Sequence, residues 1–360
     1  MQNGAGEPLV IYKESKCMRI LVVGGTGFIG PHVIKQLAAA GHEVTVFHRG
    51  QHELELPSRV RHVHSPSAAF PIIEFPLELM AWRPEIVLHM VAMGERDAEA
   101  AARAFRGVAR RLVVCSSGDV YAAYGVLLGT ESEGQQLALL SEDAPLRKNL
   151  YPYRKLTKNS DDWIYHYEKL LVEQIVMHDP ELQGTVLRLP AVYGPGDKRH
   201  GFFPYLKRME DGRLAILLDQ DHARWRWTHG YVENVASAIA RAVVDDRAAG
   251  RVYNVGEQVT PSTEERLQTL ATIAGWRGRI LKLPRQRMPQ HLQDGYTYSC
   301  DLAYDTSLIR GELGYREDIS VEEGMRRTVA DLRAHPPDFD RREFDYATED
   351  AVLAAHLSGT

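Results

Sequence analysis

Tyr165 and Lys169 stand four residues apart in the run Tyr165-His166-Tyr167-Glu168-Lys169. On a helix, that spacing brings two side chains to one face. The pair suits proton chemistry. A free phenol has a pKa of about 10 and is a poor base at neutral pH. A lysine ammonium one turn away favours the phenolate and lowers that pKa. Tyr165 is then able to move a proton to or from a substrate hydroxyl, and Lys169 to donate hydrogen bonds to a ribose. Tyr-x-x-x-Lys occurs by chance in many helices, so the pair gains weight only from its place and its partner. The partner is in Cys115-Ser116-Ser117-Gly118. Ser117 follows a buried apolar run and is expected at the carboxyl edge of a sheet, where ligands of open α/β sheets bind. There it is able to orient a substrate oxygen beside Tyr165.

A second constellation is Gly24-Gly25-Thr26-Gly27-Phe28-Ile29-Gly30, a G-x-x-G-x-x-G loop. Gly24 permits a tight turn, Gly27 lets the backbone approach a pyrophosphate, and Gly30 lets helix pack on strand. The following helix would aim its free N–H groups and positive dipole end at the phosphates. An NAD site calls for an acid at the end of the next strand, to hold the ribose 2′-hydroxyl. Here that strand ends Phe47-His48-Arg49-Gly50. Arg49, with His48, is suited instead to a 2′-phosphate. The cofactor is therefore NADP or NAD, with NADP favoured.

These residues need elements to hold them. Residues 19–23 (RILVV) read as a buried strand, 28–40 as a helix closed by Gly41, and 43–48 as a second strand. Strands are also predicted at 85–91, 111–116, 185–190 and 252–255, with helices at 96–109 and 161–178. Strands alternating with helices imply an α/β fold, a Rossmann-type doubly wound parallel sheet. Past residue 195 the pattern turns irregular. The reading is a dinucleotide-binding domain over 18–194, with returning segments at about 230–256. A smaller interleaved substrate lobe occupies 195–229 and 257–335, with a flexible lead-in at 1–17 and a peripheral tail at 336–360.

The chain has 360 residues, enough for about two domains. At 44% hydrophobic and 25% charged it resembles a globular protein, which excludes a disordered or fibrous one. The net charge of −5 is too mild to point to nucleic acid or an acidic membrane surface. Cys17, Cys115 and Cys300 are odd in number and far apart, which fits a reducing compartment rather than a disulfide framework. No apolar run nears the roughly 20 residues of a membrane span, and the first residues do not read as a secretory signal. The expectation is a cytoplasmic enzyme.

Together the segments GGTGFIG (24–30), SSGDVY (116–121), YHYEKLLVE (165–173), RLPAVYGPGD (188–197), YVENVASAI (231–239), RVYNVGE (251–257) and ELGY (312–315) resemble the extended short-chain dehydrogenase/reductase family. Its members are the NAD(P)-dependent sugar-nucleotide epimerases and dehydratases. The match runs in family order over roughly 18–330. The resemblance implies a catalytic triad of Ser117, Tyr165 and Lys169. It implies a cofactor cradle of Gly24, Thr26, Gly27, Phe28, Ile29 and Gly30, with the nicotinamide near Val91, Ala92 and Pro190. It also implies a homodimer.

The chain departs from the family in three places. His62-Val63-His64-Ser65 stands where an Asp-x-x-Asp often touches adenine. Residues 122–160 form a long insertion, expected to cover the substrate or make an oligomer contact. Gly118 and Asp119 replace the Asp-Glu pair of 4,6-dehydratases; Asp119 is left as a base at the substrate or as a loop cap.

The expected function is an oxidoreductase or epimerase acting on a hydroxyl or keto carbon of a nucleotide-linked sugar. Arg199, Lys207, Arg208, Arg224 and Arg226 are candidate cations for its diphosphate, with Arg199 and Arg226 assigned to the substrate. Trp225 and Trp227 are placed in the core or the pocket wall. His62 and His64 lack a third ligand at metal spacing, so no metal is predicted. Two alternatives stay open. One is a non-catalytic nucleotide- or RNA-binding member, since the 24–50 segment also resembles chloroplast stem-loop RNA-binding proteins. The other is a reductase of a non-sugar carbonyl.

Overall fold

A computed structural model describes residues 16–51, 56–67, 70–134 and 137–358; most of the lead-in expected at 1–17 lies outside them. Strands β1 (Arg19–Val23), β2 (Glu43–His48), β3 (Arg61–His64), β4 (Ile86–His89), β5 (Arg111–Ser117) and β6 (Gln183–Leu189) come first along the chain. Two short strands follow, β7 (Ala191–Tyr193) and β8 (Ala215–Asp219), then β9 (His229–Tyr231), β10 (Arg251–Asn254) and β11 (Arg279–Leu283). Seven of them form one sheet in the order β10-β6-β5-β4-β1-β2-β3, with every neighbouring pair parallel. This is the doubly wound sheet expected from the alternation. β3 was not among the expected strands, because only Val63 of its four residues is buried and it carries no apolar pattern.

The two-residue period of a strand divides the core in two. On β1, Ile20 and Val22 face one layer while Leu21 and Val23 face the other. The first layer is closed by Val33, Ile34 and Leu37 of the helix Gly30–Ala39 and by Val235, Ile239 and Val243 of the helix Val232–Val244. The second is closed by Ala98, Ala101 and Phe105 of the helix Glu95–Phe105 and by Val172 and Val176 of the helix Lys169–Met177. Sheet residues covered on both faces read as unbroken apolar runs. That explains why β1, β2, β5 and β6 were visible in the sequence.

After β6 the chain threads between two regions. β7 pairs with β9, and β8 with β11, as separate two-stranded sheets, while β10 returns to the edge of the main sheet. The insertion at 122–160 docks by a bridge from Tyr121 to Leu146 and another from Leu140 to Tyr304. Between them lies a third apolar cluster that includes Tyr121, Leu140, Leu170, Trp225 and Tyr304. The tail ends in the helix Tyr346–Ser358, held to the helix Phe203–Glu210 by the buried pair Arg208–Glu349 at 2.7 Å.

Candidate active site

The helix carrying Lys169 begins at Lys169 itself, rather than at 161 as expected. Glu168 is its N-cap: the backbone is extended (φ −157°, ψ 97°) and the carboxylate accepts the Leu170 N–H at 2.9 Å. Residues Trp163–His166 form a separate turn of 3₁₀ helix, capped by Asp162. Tyr165 and Lys169 therefore do not share one helix face, and the four-residue spacing loses its geometric meaning. Tyr165 is half-buried, with the Arg154 guanidinium 4.6 Å from its ring centre and His166 against its edge.

Lys169 is buried between the ends of two central strands. Its Nζ donates to the carbonyl oxygens of Ala92 (2.6 Å) and Cys115 (2.9 Å). Burial pulls its pKa down, opposed by the charges of Asp97 and Asp119. One turn on, Glu173 accepts from Ser116 Oγ at 2.6 Å and pairs with Arg188 at 2.8 Å. Ser116 is thereby committed to structure. Ser117, at the very end of β5, accepts the Asp119 N–H at 3.2 Å.

The tyrosine that meets this cluster is Tyr167, which the sequence reading passed over. Its hydroxyl donates to Asp119 Oδ2 at 2.7 Å, and the nearby Ser117 side chain favours its phenolate. Lys169 Nζ lies 5.6 Å from its ring centre. Tyr153 Oη, from the insertion, lies 3.1 Å from the same Asp119 oxygen and 2.8 Å from Tyr124 Oη. Burial pushes the Asp119 carboxyl up, against the pull of Tyr167, Arg147 and Lys169. Burial and the adjacent Asp119 hold the Tyr167 phenol well above the usual tyrosine range. His89, at the end of β4, is also enclosed here, with neither ring nitrogen hydrogen-bonded. Burial, helped by Lys169, pushes its pKa down to about 3.

The glycine loop lies between β1 and the helix Gly30–Ala39. Gly24 has φ +83°, and a Cβ there would meet Val91 at 2.8 Å; a Cβ on Gly30 would fall 2.2 Å from the Gly25 carbonyl oxygen. Around Gly27 nothing stands within 4 Å of a Cβ position. The helix has no side-chain cap and no acid in its first turn, so its N–H groups face an open cradle that fits a pyrophosphate. Val91 closes the back of the loop with the buried Ala92 next to it in the chain, while Pro190 is buried against Gly230 and Gly256. At the end of β2, His48 is buried, with Nδ1 accepting from Gly50 N–H and Nε2 3.2 Å from His62 Nδ1. Both its ring nitrogens are engaged, and the Arg49 guanidinium packs 5.1 Å from the Phe70 ring centre.

A cavity of about 380 Å³ opens between β7 and the segments around Trp225 and Tyr298. Its wall is largely aromatic, with Tyr124, Tyr193, Phe202, Tyr205, Trp225, Trp227, Tyr296 and Tyr298. Tyr124 joins it to the Tyr153–Asp119–Tyr167 chain. His222 and His229 also line it, and burial lowers both their pKa values. Arg199 borders the cavity, whereas Arg226 is exposed and outside the lining. The other expected cations are paired: Lys207 with Asp211, Arg208 with Glu349 and Arg224 with Asp221. The run of positive residues from 199 to 226 is thus dispersed over different elements. Among the described residues, no three His, Cys, Asp or Glu side chains are grouped to hold a metal, and no helix is long and apolar enough to cross a membrane.

The model of the NAD dependent epimerase/dehydratase family matches residues 20–256. The chain belongs to this family. It is 27% identical to 2′-dehydrokanamycin reductase of Streptomyces kanamyceticus over 311 residues, 82% of this chain and 79% of that one. Its fold is similar to UDP-glucose 4-epimerase of Thermotoga maritima, solved with UDP-glucose (TM-score 0.62, 21% identity, 88% of this chain and 99% of that one). It is also similar to dTDP-glucose 4,6-dehydratase of Bacillus anthracis in complex with NAD (TM-score 0.64, 16% identity, 89% and 98%).

As a member of the NAD dependent epimerase/dehydratase family, it is an NAD(P)-dependent enzyme of the extended short-chain dehydrogenase/reductase type. Of the residues expected at the site, Ser117 lies at the end of β5, Lys169 lies against the Ala92 and Cys115 carbonyls, and the glycine loop lies between β1 and its helix. Tyr153 and Tyr167 at Asp119, Arg147 at Glu168, and the buried His89 are neighbours that the sequence reading did not single out. Two signals were present: Glu168 as a helix cap just before Lys169, and a second tyrosine two residues ahead of that lysine.

Proposed function

We propose that this family member exchanges a hydride with a hydroxyl- or keto-bearing carbon of a saccharide, as an oxidoreductase or epimerase. One observation carries the reading. Lys169 Nζ is held by the Ala92 and Cys115 carbonyl oxygens near the carboxyl ends of β4 and β5, Ser117 ends β5, and Asp119, Tyr153 and Tyr124 lead from there to the aromatic cavity. A nicotinamide cofactor bound there would supply or accept the hydride. The chain's own residues do the rest. The loop 24–30 and the helix behind it hold the pyrophosphate. Lys169 fixes a ribose and adds positive charge. Ser117 orients the substrate oxygen, and a phenol of the 165–167 segment carries its proton; Tyr165 is the one the family spacing selects. Arg49 supports NADP over NAD, because a guanidinium can grip a 2′-phosphate with two hydrogen bonds. The protein is read as a cytoplasmic homodimer.

A nucleotide-linked sugar is the first substrate reading, with Arg199 at the cavity as the cation for its diphosphate. The aromatic wall favours a second: a carbonyl substrate without a diphosphate, stacked on the rings of the cavity. Turnover decides between them. The protein is assayed by nicotinamide absorbance with UDP-glucose plus NAD⁺ or NADP⁺, and with 2′-dehydrokanamycin plus NADPH or NADH. Epimerisation of UDP-glucose, which leaves no net absorbance change, is followed by product chromatography. Turnover of UDP-glucose supports the first reading; turnover of 2′-dehydrokanamycin alone supports the second. Failure to bind either dinucleotide in a fluorescence titration sinks both.

A further inference from the structure

We infer that Tyr167, not Tyr165, passes the proton to and from the substrate oxygen, and that Asp119 positions its phenol and exchanges protons with it. The inference rests on the hydride-transfer reading above and assigns its acid–base step.

Three observations carry it. First, the helix break at Glu168 separates Tyr165 from Lys169, and Tyr165 packs instead on Arg154 and His166. Second, the Ser117 side chain is near enough to the Tyr167 hydroxyl to favour its phenolate, and Lys169 Nζ lies 5.6 Å from its ring centre. A hydroxyl and a cation are the kinds of neighbour that proton transfer to a substrate oxygen requires. Third, Asp119 lies 2.7 Å from Tyr167, and its second oxygen is buried with no partner. From Asp119 hydroxyl groups continue through Tyr153 to Tyr124 in the cavity wall. A buried carboxyl with one open oxygen and a hydroxyl chain to solvent is arranged to refill a proton.

The proton count closes. In the reducing direction the carbonyl carbon gains the hydride. The Tyr167 O–H bond breaks and a new O–H bond forms on the substrate oxygen. The phenolate then takes the proton of a neutral Asp119 carboxyl, and Asp119 regains one from cavity water through Tyr124 and Tyr153. In the oxidising direction every step runs backwards. A phenolate beside an ionised carboxylate would be repelled, so the working form carries a proton on Asp119. Burial favours that form, and the groups facing it are Tyr153, Tyr167, Arg147 and Lys169. The cations Arg147 and Lys169 oppose it and set how high the pH can rise before the proton is lost.

The test compares Tyr167→Phe, Tyr165→Phe and Asp119→Asn in the full chain. With whichever probe the wild type turns over, 2′-dehydrokanamycin plus NADPH or UDP-glucose plus NAD⁺, Tyr167→Phe should be slower than Tyr165→Phe by about 100-fold or more. The reverse order overturns the inference. The wild-type reduction rate should fall as pH rises through the Asp119 titration, and Asp119→Asn should remove that limb; an unchanged limb overturns the role of Asp119. Absence of wild-type turnover counts against the functional reading, not this assignment, which NMR then decides. In protein labelled with ¹³Cζ-tyrosine and loaded with NADP⁺, Ser117→Ala and Asp119→Asn should each shift the resonance that Tyr167→Phe deletes. Shifts confined to the resonance that Tyr165→Phe deletes overturn it.

Discussion

Arg147 Nη2 lies 3.0 Å from Glu168 Oε1, and neither side chain has any solvent exposure. The pair links the long insertion to the first residue before the Lys169 helix. Glu168 also accepts the Leu170 N–H, and Arg147 also donates to the backbone oxygens of Asp119 and Asn149. One buried ion pair therefore sets both where the helix starts and where Asp119 sits. Removing one partner leaves the other charged and buried, which typically costs about 3–5 kcal/mol. Arg147→Ala and Glu168→Ala should each lower the urea midpoint accordingly and also abolish turnover. Wild-type stability in either variant would show that the pair holds nothing.

Gly27 and Gly30 should respond differently to the same added methyl group. At Gly30 it would collide with the Gly25 backbone, so Gly30→Ala should lose about 1–3 kcal/mol of stability as well as dinucleotide binding. At Gly27 there is open space, so Gly27→Ala should fold within about 0.5 kcal/mol of wild type. Its methyl would stand where the pyrophosphate approaches, and dinucleotide affinity should fall. Thermal unfolding without ligand and fluorescence titration with NADP⁺ separate the two effects. Equal affinity in Gly27→Ala and wild type would refute this placement of the phosphates.

The NADP reading makes Arg49 the residue that should discriminate between the two dinucleotides. A charge-assisted hydrogen bond contributes about 1.5–3 kcal/mol, or roughly 10- to 150-fold in affinity. Arg49→Ala should lose that much NADP⁺ affinity and leave NAD⁺ affinity within about threefold. Parallel titrations with the two dinucleotides measure the ratio. An equal loss for both would assign Arg49 to the adenosine in general rather than to a 2′-phosphate.

His89 should make the fold acid-sensitive. Its pKa falls from 6.5 to about 3 in the folded protein, so the folded state excludes a proton that the unfolded chain binds. Stability is fully present above pH 6.5 and declines as pH falls towards 3, by up to about 5 kcal/mol. His89→Leu should flatten this limb in denaturation midpoints measured between pH 7 and about 4. Parallel limbs in the two proteins would place the acid sensitivity elsewhere.

Much of the fold was legible because its signals are local. β1, β2, β5 and β6 are buried on both faces, so their own residues must be apolar, and the loop at 24–30 needs its glycines whatever surrounds it. Ser117 could be named because it follows directly from where an apolar strand ends, whereas Lys169 was named from a spacing to Tyr165 that the helix start at Lys169 dissolves. β3 was invisible because a mostly exposed edge strand places little demand on its sequence. The arginines of 199–226 looked like one cluster because neighbours in sequence look like neighbours in space; their carboxylate partners are as far away as Glu349.

By itself, then, the sequence determined a parallel α/β chain with a glycine loop after its first strand and a serine at the sheet edge. Only the tertiary structure decided which tyrosine joins them. The sequence alone continues a helix through residues 161–178, where Trp163, Ile164, Leu170, Leu171, Ile175 and Val176 supply the apolar side chains. What stops it is Arg147, 21 residues upstream, which holds Glu168 in an extended backbone and turns Tyr167 towards Asp119. A long-range buried charge outweighs a local preference of a few tenths of a kcal/mol per residue, and no window along the chain contains both ends of that interaction.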